Sequence, residues 1–157
     1  MKRILLTIVL LAAGCGVQPS GIVDGGEAPT GVAAGTTLYF VDAAGELRPT
    51  TRRTERLGTV SEALSLLMTG PGRDPSHHTE IAETPTPRVV VSTKANLIQV
   101  MLPLTAEDVT PRGIDQIVCT ALGVHVQSGG ARTMKVQVRF TQPAPASEAE
   151  RTCPLIR

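Results

Sequence analysis

The sequence predicts an α+β fold, a two-layer sandwich with two helices packed on one face of a sheet, in the order strand–strand–helix–strand–strand–helix–strand. Three observations carry this. Two segments repeat apolar residues at helical spacing behind recognisable N-caps. Between and around them lie short β-branched runs bounded by turn residues. The last such run alternates apolar and polar residues strictly, as a strand with one buried face does. Amphipathic helices must bury their stripes, and the apolar face of a sheet supplies the surface.

The elements follow in order. Leu38-Tyr39-Phe40-Val41 is a compact apolar, aromatic run of strand type. Asp42-Ala43-Ala44-Gly45 is a turn, and residues 46–53 form a more exposed strand. Pro49 puts that strand at an edge, because proline cannot donate to a ladder. Thr59-Val60-Ser61-Glu62 has the pattern of a capping box, with a hydroxyl at the N-cap and a carboxylate at N3. Val60, Ala63, Leu64, Leu67 and Met68 follow as one stripe, and Gly70-Pro71 ends the helix. Residues 72–87 read as a polar, proline-rich loop. Residues 88–93 and 97–102 form a hairpin around Lys94-Ala95-Asn96. Thr110-Pro111 opens the second helix, with proline at its first position. Ile114, Ile117, Val118, Ala121 and Leu122 form its stripe, and Gly123 is expected to close it. In the final strand Met134, Val136, Val138 and Phe140 point inward, and Lys135, Gln137 and Arg139 point to solvent. Residues 37–142 are the expected domain, and residues 143–157 a polar tail.

The N-terminus has a different character. Lys2 and Arg3 precede an apolar run, residues 4–13, that is too short to span a bilayer. Leu11-Ala12-Ala13-Gly14-Cys15 ends it with small residues and a cysteine. Charge, short apolar core and small residues mark a secretory signal peptide over residues 1–14. The cysteine directly after them resembles the lipobox of bacterial lipoproteins, with Ala12 where leucine is usual. That resemblance implies lipidation of Cys15 by diacylglycerol and acyl chains such as palmitate. It also implies a lipid-anchored location on the outer face of the cytoplasmic membrane. Residues 16–36, rich in Gly, Ala and Pro, read as a tether with an end-to-end distance of roughly 25 Å.

Composition narrows the partners. Without Lys2 and Arg3 the chain carries 13 basic and 14 acidic side chains, a net charge of −1. Nucleic-acid binding calls for a basic surface, so no nucleic-acid partner is expected. Tyr39, Phe40 and Phe140 are the only aromatic residues, too few for stacking platforms. Arginine outnumbers lysine and Ala, Gly, Pro and Thr are abundant, a usage typical of GC-rich bacteria such as actinomycetes. With Cys15 lipidated, Cys119 and Cys153 remain as a pair, and an exported location permits a disulfide between them. Cys119 lies to the flank of the second helix's stripe, where the tail can reach it. The closed loop of about 35 residues is worth roughly 3–4 kcal/mol in the chain-entropy account.

The candidate chemistry is sparse. His77-His78 are adjacent and point apart in regular structure, with no ligand spacing of the kind zinc sites use. A solvated loop explains them, together with Glu80 and Glu83. His125 stands alone after the expected second helix. Arg48, Arg52, Arg53 and Arg56 cluster and suit an anionic contact, since guanidinium matches phosphate geometry. A solvated edge explains them without any partner and is the preferred reading. Glu107 and Asp108 precede the second helix, where its dipole favours negative charge. No nucleophile elbow, metalloprotease helix motif or phosphate loop is present, so no catalytic residue, metal ligand or cofactor is expected.

A family resemblance rests on particular segments. Leu38-Tyr39-Phe40-Val41, then Ser65-Leu66-Leu67-Met68-Thr69-Gly70-Pro71, then Thr79-Glu80-Ile81 resemble the GerMN domain of bacterial sporulation and spore-germination lipoproteins. The helix around Ile114-Asp115-Gln116-Ile117 and the strand Val136-Gln137-Val138-Arg139-Phe140 continue the match, over about residues 37–141. One departure is plain: the acidic residue usual in the family's fourth strand is absent from Gln99-Val100-Met101-Leu102. The resemblance implies a non-enzymatic interaction or assembly module that meets another envelope protein. The alternatives are a cell-envelope enzyme or its inhibitor using the His77–Glu83 loop, and a binder of anionic wall polymer through the arginines.

Overall fold

A computed structural model describes residues 35–157. The expected signal peptide, Cys15 and the expected tether up to residue 34 lie outside the described residues. Strand β1 (Gly35–Asp42) pairs antiparallel with β2 (Leu47–Arg53). Helix α1 (Val60–Leu67) leads to the two-residue strand β3 (His77–His78). The hairpin β4 (Val90–Lys94) and β5 (Leu97–Met101) precedes helix α2 (Pro111–Gln127). Strands β6 (Lys135–Arg139) and β7 (Glu150–Arg151) complete the chain.

The α+β class and the order of the long elements are as the sequence predicts, but the strands form two sheets rather than one. One sheet has the order β2-β1-β3, the other β4-β5-β6-β7. β5 and β6 run parallel, joined by the crossover through α2. A parallel neighbour needs a long connection, and the helix is that connection. The two sheets share a core of Leu38, Phe40, Leu64, Leu67, Ile98 and Ile117, all essentially without solvent contact.

Local chemistry sets the helix ends. Thr59 Oγ1 accepts from the Glu62 N–H while the Glu62 carboxylate accepts from the Thr59 N–H, the capping box read from sequence. Thr110 Oγ1 caps α2 by accepting from the Gly113 N–H at 3.1 Å. α2 does not stop at Gly123. It runs on to Gln127, and its C-terminal turn is closed by Gly129 at φ 86°. Gly123 serves packing instead, since a Cβ there would lie 3.2 Å from the Tyr39 ring. Gly113 matters more: a Cβ would fall 2.3 Å from the Glu80 carbonyl oxygen, where α2 begins against residues 80–82. That segment bridges Ile81 to Val109, and the Ala82 N–H donates to the Asp108 carbonyl.

α2 is buried nearly all round, from Gly113 to Val124. One of its stripes is not apolar. Gln116, Thr120, Gly123 and Gln127 recur at helical spacing and all meet β1. The Gln116 amide donates to the Tyr39 carbonyl at 3.0 Å and accepts from the Glu80 N–H at 2.8 Å. Thr120 Oγ1 accepts from the Tyr39 N–H at 3.1 Å, and the Gln127 amide donates to Thr37 Oγ1. The sheet register explains why. Tyr39 lies opposite Pro49, which has no N–H, so the polar groups of Tyr39 turn away from β2. α2 satisfies them there, and two residues on, β3 takes over by pairing His78 with Val41.

The C-terminal segment is structured rather than a free tail. It forms a 3-10 turn over Pro145–Glu148, then β7 against β6. Cys153, just after β7, is bonded to Cys119 of α2. Cys119 and Cys153 are both buried. Gln137 also departs from expectation: it is buried on the outer face of the second sheet, where the Gln99 amide donates to it at 2.7 Å. β6 is an interior strand, and β7 and the 3-10 turn beside it shield that face.

Two outcomes follow for stability. Thr120→Val keeps the shape but strands the buried Tyr39 N–H, at a cost of about 1–3 kcal/mol, and Gln116→Leu strands two groups and costs more. Urea denaturation of the oxidised chain measures both. Cys153→Ser is expected to lower stability by about 2–4 kcal/mol. The reduced wild type should then match the variant, while a wild type insensitive to reductant contradicts the bridge.

Candidate interaction surface

Most of the charged residues singled out from sequence are held by local partners, and they do not converge. Arg48 donates to Asp42 at 2.8 Å, Arg52 to the Gly70 carbonyl at 2.9 Å, and Arg56 to Glu62 at 2.9 Å. Arg48 and Arg52 share one face of β2, and Arg53 points to the other. The stretch is thus divided between the first turn of α1, its C-terminal Gly70 and the β1–β2 turn. His77 and His78, expected in a loop, form strand β3. His77 Nδ1 lies 2.8 Å from Asp74, and His78 Nε2 on the opposite side lies 3.8 Å from Glu80. Among the described residues no three His, Cys, Asp or Glu side chains are grouped as a metal site would need.

The carboxylates serve as caps. Asp42 is lowered to about 2, first by the Arg48 guanidinium and then by the Glu46 N–H, so it holds the β1–β2 turn as an anion. Asp74 is lowered to about 2, chiefly by the hydroxyl and N–H of Ser76 and then by His77. Asp108 is lowered by the Thr105 hydroxyl and N–H; it closes the 3-10 turn Ala106–Asp108 rather than serving the α2 dipole. His125 lies inside α2, in its last turn, with Gly130 tightly against its ring.

Clefts exist, but their charged groups are few or already paired. One of about 170 Å³ holds Arg56 and Glu62, bonded to each other. A groove of about 360 Å³ brings the Gly70-Pro71 segment after α1 against Thr79, Glu83 and Thr84. Glu83 is its one carboxylate. Two segments that carry the family resemblance, the leucine-glycine-proline signature and Thr79-Glu80-Ile81, therefore meet in space.

The sheet edges differ sharply. β2 is blunted by Pro49 and its arginines, and β3 and β7 are two residues long. β4 has neither protection. The Lys135 N–H donates to the Asn96 carbonyl, and the Leu102 N–H to that of Arg139. These bonds orient the even residues of β5 toward β6 and the odd ones toward β4. Val90, Ser92 and Lys94 therefore bond to β5, while Val91 and Thr93 turn their N–H and C=O outward. Val89 turns outward too, and Ser61 Oγ of α1 donates to its carbonyl. Beyond that cap, no protein group among the described residues meets the outward groups of Val91 and Thr93. Beside this edge the sheet's outer face exposes Val90 by 61% and its cross-strand partner Met101 by 40%. The sequence marked β4 only as a β-branched run, and nothing in it announced an open edge.

No protein-family model and no curated protein matches the chain. A solved structure is similar to it: the tandem GerMN domains of the sporulation protein GerM from Bacillus subtilis. The similarity has a TM-score of 0.54 at 14% identity and covers 76% of this chain and 44% of that one. The fold is GerMN-like. The chain spans less than half the length of that tandem structure.

The capping carboxylates have a pH consequence. Groups held low in the folded state stabilise it above the ordinary carboxylate range near pH 4 and cease to do so as pH falls toward 2. Melting temperature is therefore expected to drop between about pH 4 and pH 2. Asp42→Asn should melt lower at neutral pH yet lose less over that interval. An equal acid-induced loss in wild type and variant contradicts the role of Asp42.

Proposed function

We propose that this protein is a lipid-anchored extracytoplasmic lipoprotein whose GerMN-like domain is a non-catalytic interaction module for another envelope protein. The observation that carries the reading is the contrast within the domain. Asp42, Glu62 and Asp108 are engaged in turns and caps, whereas a sheet edge flanked by exposed apolar residues has no partner among the described residues. Catalysis needs titratable groups converging on one cavity, and the groove by Gly70-Pro71 offers Glu83 alone. The similarity to the GerM domains supports the same class of module, and the N-terminal pattern ending at Cys15 supports the anchor. Joined to lipid at Cys15, the domain works at the membrane surface. Confinement there raises its effective concentration for a membrane-bound neighbour.

Cys15→Ser tests the anchor. The wild type should enter the detergent phase on phase separation and incorporate labelled palmitate, and the variant should do neither. Detergent partition retained by the variant contradicts the anchor. Photo-crosslinking scanned over the domain surface in intact cells tests the module. Crosslinks to an envelope protein are expected, and a surface silent at every position contradicts the reading.

A further inference from the structure

Resting on the interaction-module reading, we propose that the open edge of β4 is the docking site and that it takes an extended, acidic segment of the partner as an added strand. The edge sets the backbone requirement. Val91 and Thr93 offer two N–H donors and two C=O acceptors along one line, the pattern that only another extended backbone matches. The window is short. Ser61 closes it at Val89, and the turn at Ala95-Asn96 closes it beyond Lys94. Side chains of the incoming strand must therefore add to the recognition.

The outer face beside the edge defines those side chains. Val90, Met101 and Arg139 form one cross-strand row, and Lys94 stands at the end of β4 on the same face. Arg88, just before the strand, is exposed, as are Lys94 and Arg139. None of these three cations has a carboxylate partner among the described residues. Glu150 on that face is held by Lys135 at 3.2 Å. The surface beside the edge is thus apolar at Val90 and Met101 and cationic around them. An incoming strand that alternates apolar and acidic residues sets its acidic face beside Arg88, Lys94 and Arg139 and its apolar face beside half-buried Val91 on the other side of the sheet. Opposite charges across strands stabilise a pair and like charges repel. A second copy of this chain fits less well. An antiparallel β4–β4 pairing through Val91 and Thr93 sets Lys94 diagonal to the partner copy's Arg88.

The test uses the full chain in phosphatidylcholine nanodiscs. The probes are a fluorescent peptide alternating valine and glutamate, its valine–lysine counterpart, and inorganic polyphosphate. The glutamate peptide should bind, slow amide exchange at Val91 and Thr93, and weaken as salt rises. Thr93→Pro removes an outward N–H without touching the ladder to β5, and is expected to weaken binding by about tenfold. Lys94→Glu keeps the backbone and should shift preference toward the lysine peptide, so the test survives if the proline variant fails to fold. Three results each overturn the proposal: equal binding of both peptides, a folded Thr93→Pro chain with unchanged affinity, or polyphosphate as the one ligand, without amide protection. In any of these cases crosslinks elsewhere on the surface leave the interaction-module reading standing. Absence of crosslinks at every position removes that reading as well.

Discussion

The two hydrogen bonds that α2 makes to the backbone of Tyr39 hold this structure together in a way no apolar contact could. β1 is paired along its length on one side, and on the other it meets helix α2 at Tyr39 before β3 pairs with it from Val41. Buried backbone groups left without partners cost more than most contacts return. A helix cannot normally close a sheet edge, because its own N–H and C=O groups are already bonded. Gln116 and Thr120, one turn apart, supply a side-chain amide N–H and a hydroxyl in their place. The same Gln116 reaches the Glu80 N–H, so it also fixes residues 80–82 against the start of α2. The crossover to β6, the seating of α1 and the approach of the C-terminal segment are all built around a helix held in this way.

The elements legible in the sequence were those set by short-range chemistry. The capping box at Thr59, the proline after Thr110 and the alternation from Met134 to Phe140 each report a local requirement, and each is present in the fold. Pno feature of that kind announced the partition into two sheets, which follows from which strand edges the helix and β3 occupy. Gly123 shows the same limit from the other side. Its composition reads as a helix stop, yet the residue is needed small because the Tyr39 ring lies against it. The polar stripe of Gln116, Thr120 and Gln127 draws its meaning from a strand almost 80 residues earlier in the chain.

The candidate surface was less legible than the fold, for a physical reason. Side-chain chemistry draws attention to histidines and arginines, and the structure gives those residues short-range structural work: His77 on Asp74, Arg48 on Asp42, Arg56 on Glu62. An open sheet edge is made of backbone, and every residue has the same backbone. Its presence depends on register and on what fails to cover it. The cysteine pair was readable from parity and compartment, although the burial of Cys119 in the core was not.

The disulfide has a further role beyond joining α2 to the C-terminal segment. By holding Cys153 it keeps β7 on β6, which occupies the far side of the second sheet with a strand too short to template another. With β2 obstructed by proline and β3 equally brief, β4 is the one receptive edge among the described residues. A module with one receptive side forms a pair and stops; it cannot pass the pairing on to a third molecule. Under the docking proposed at β4, such a domain acts as a chain terminator, suited to a bounded complex rather than to a growing fibre.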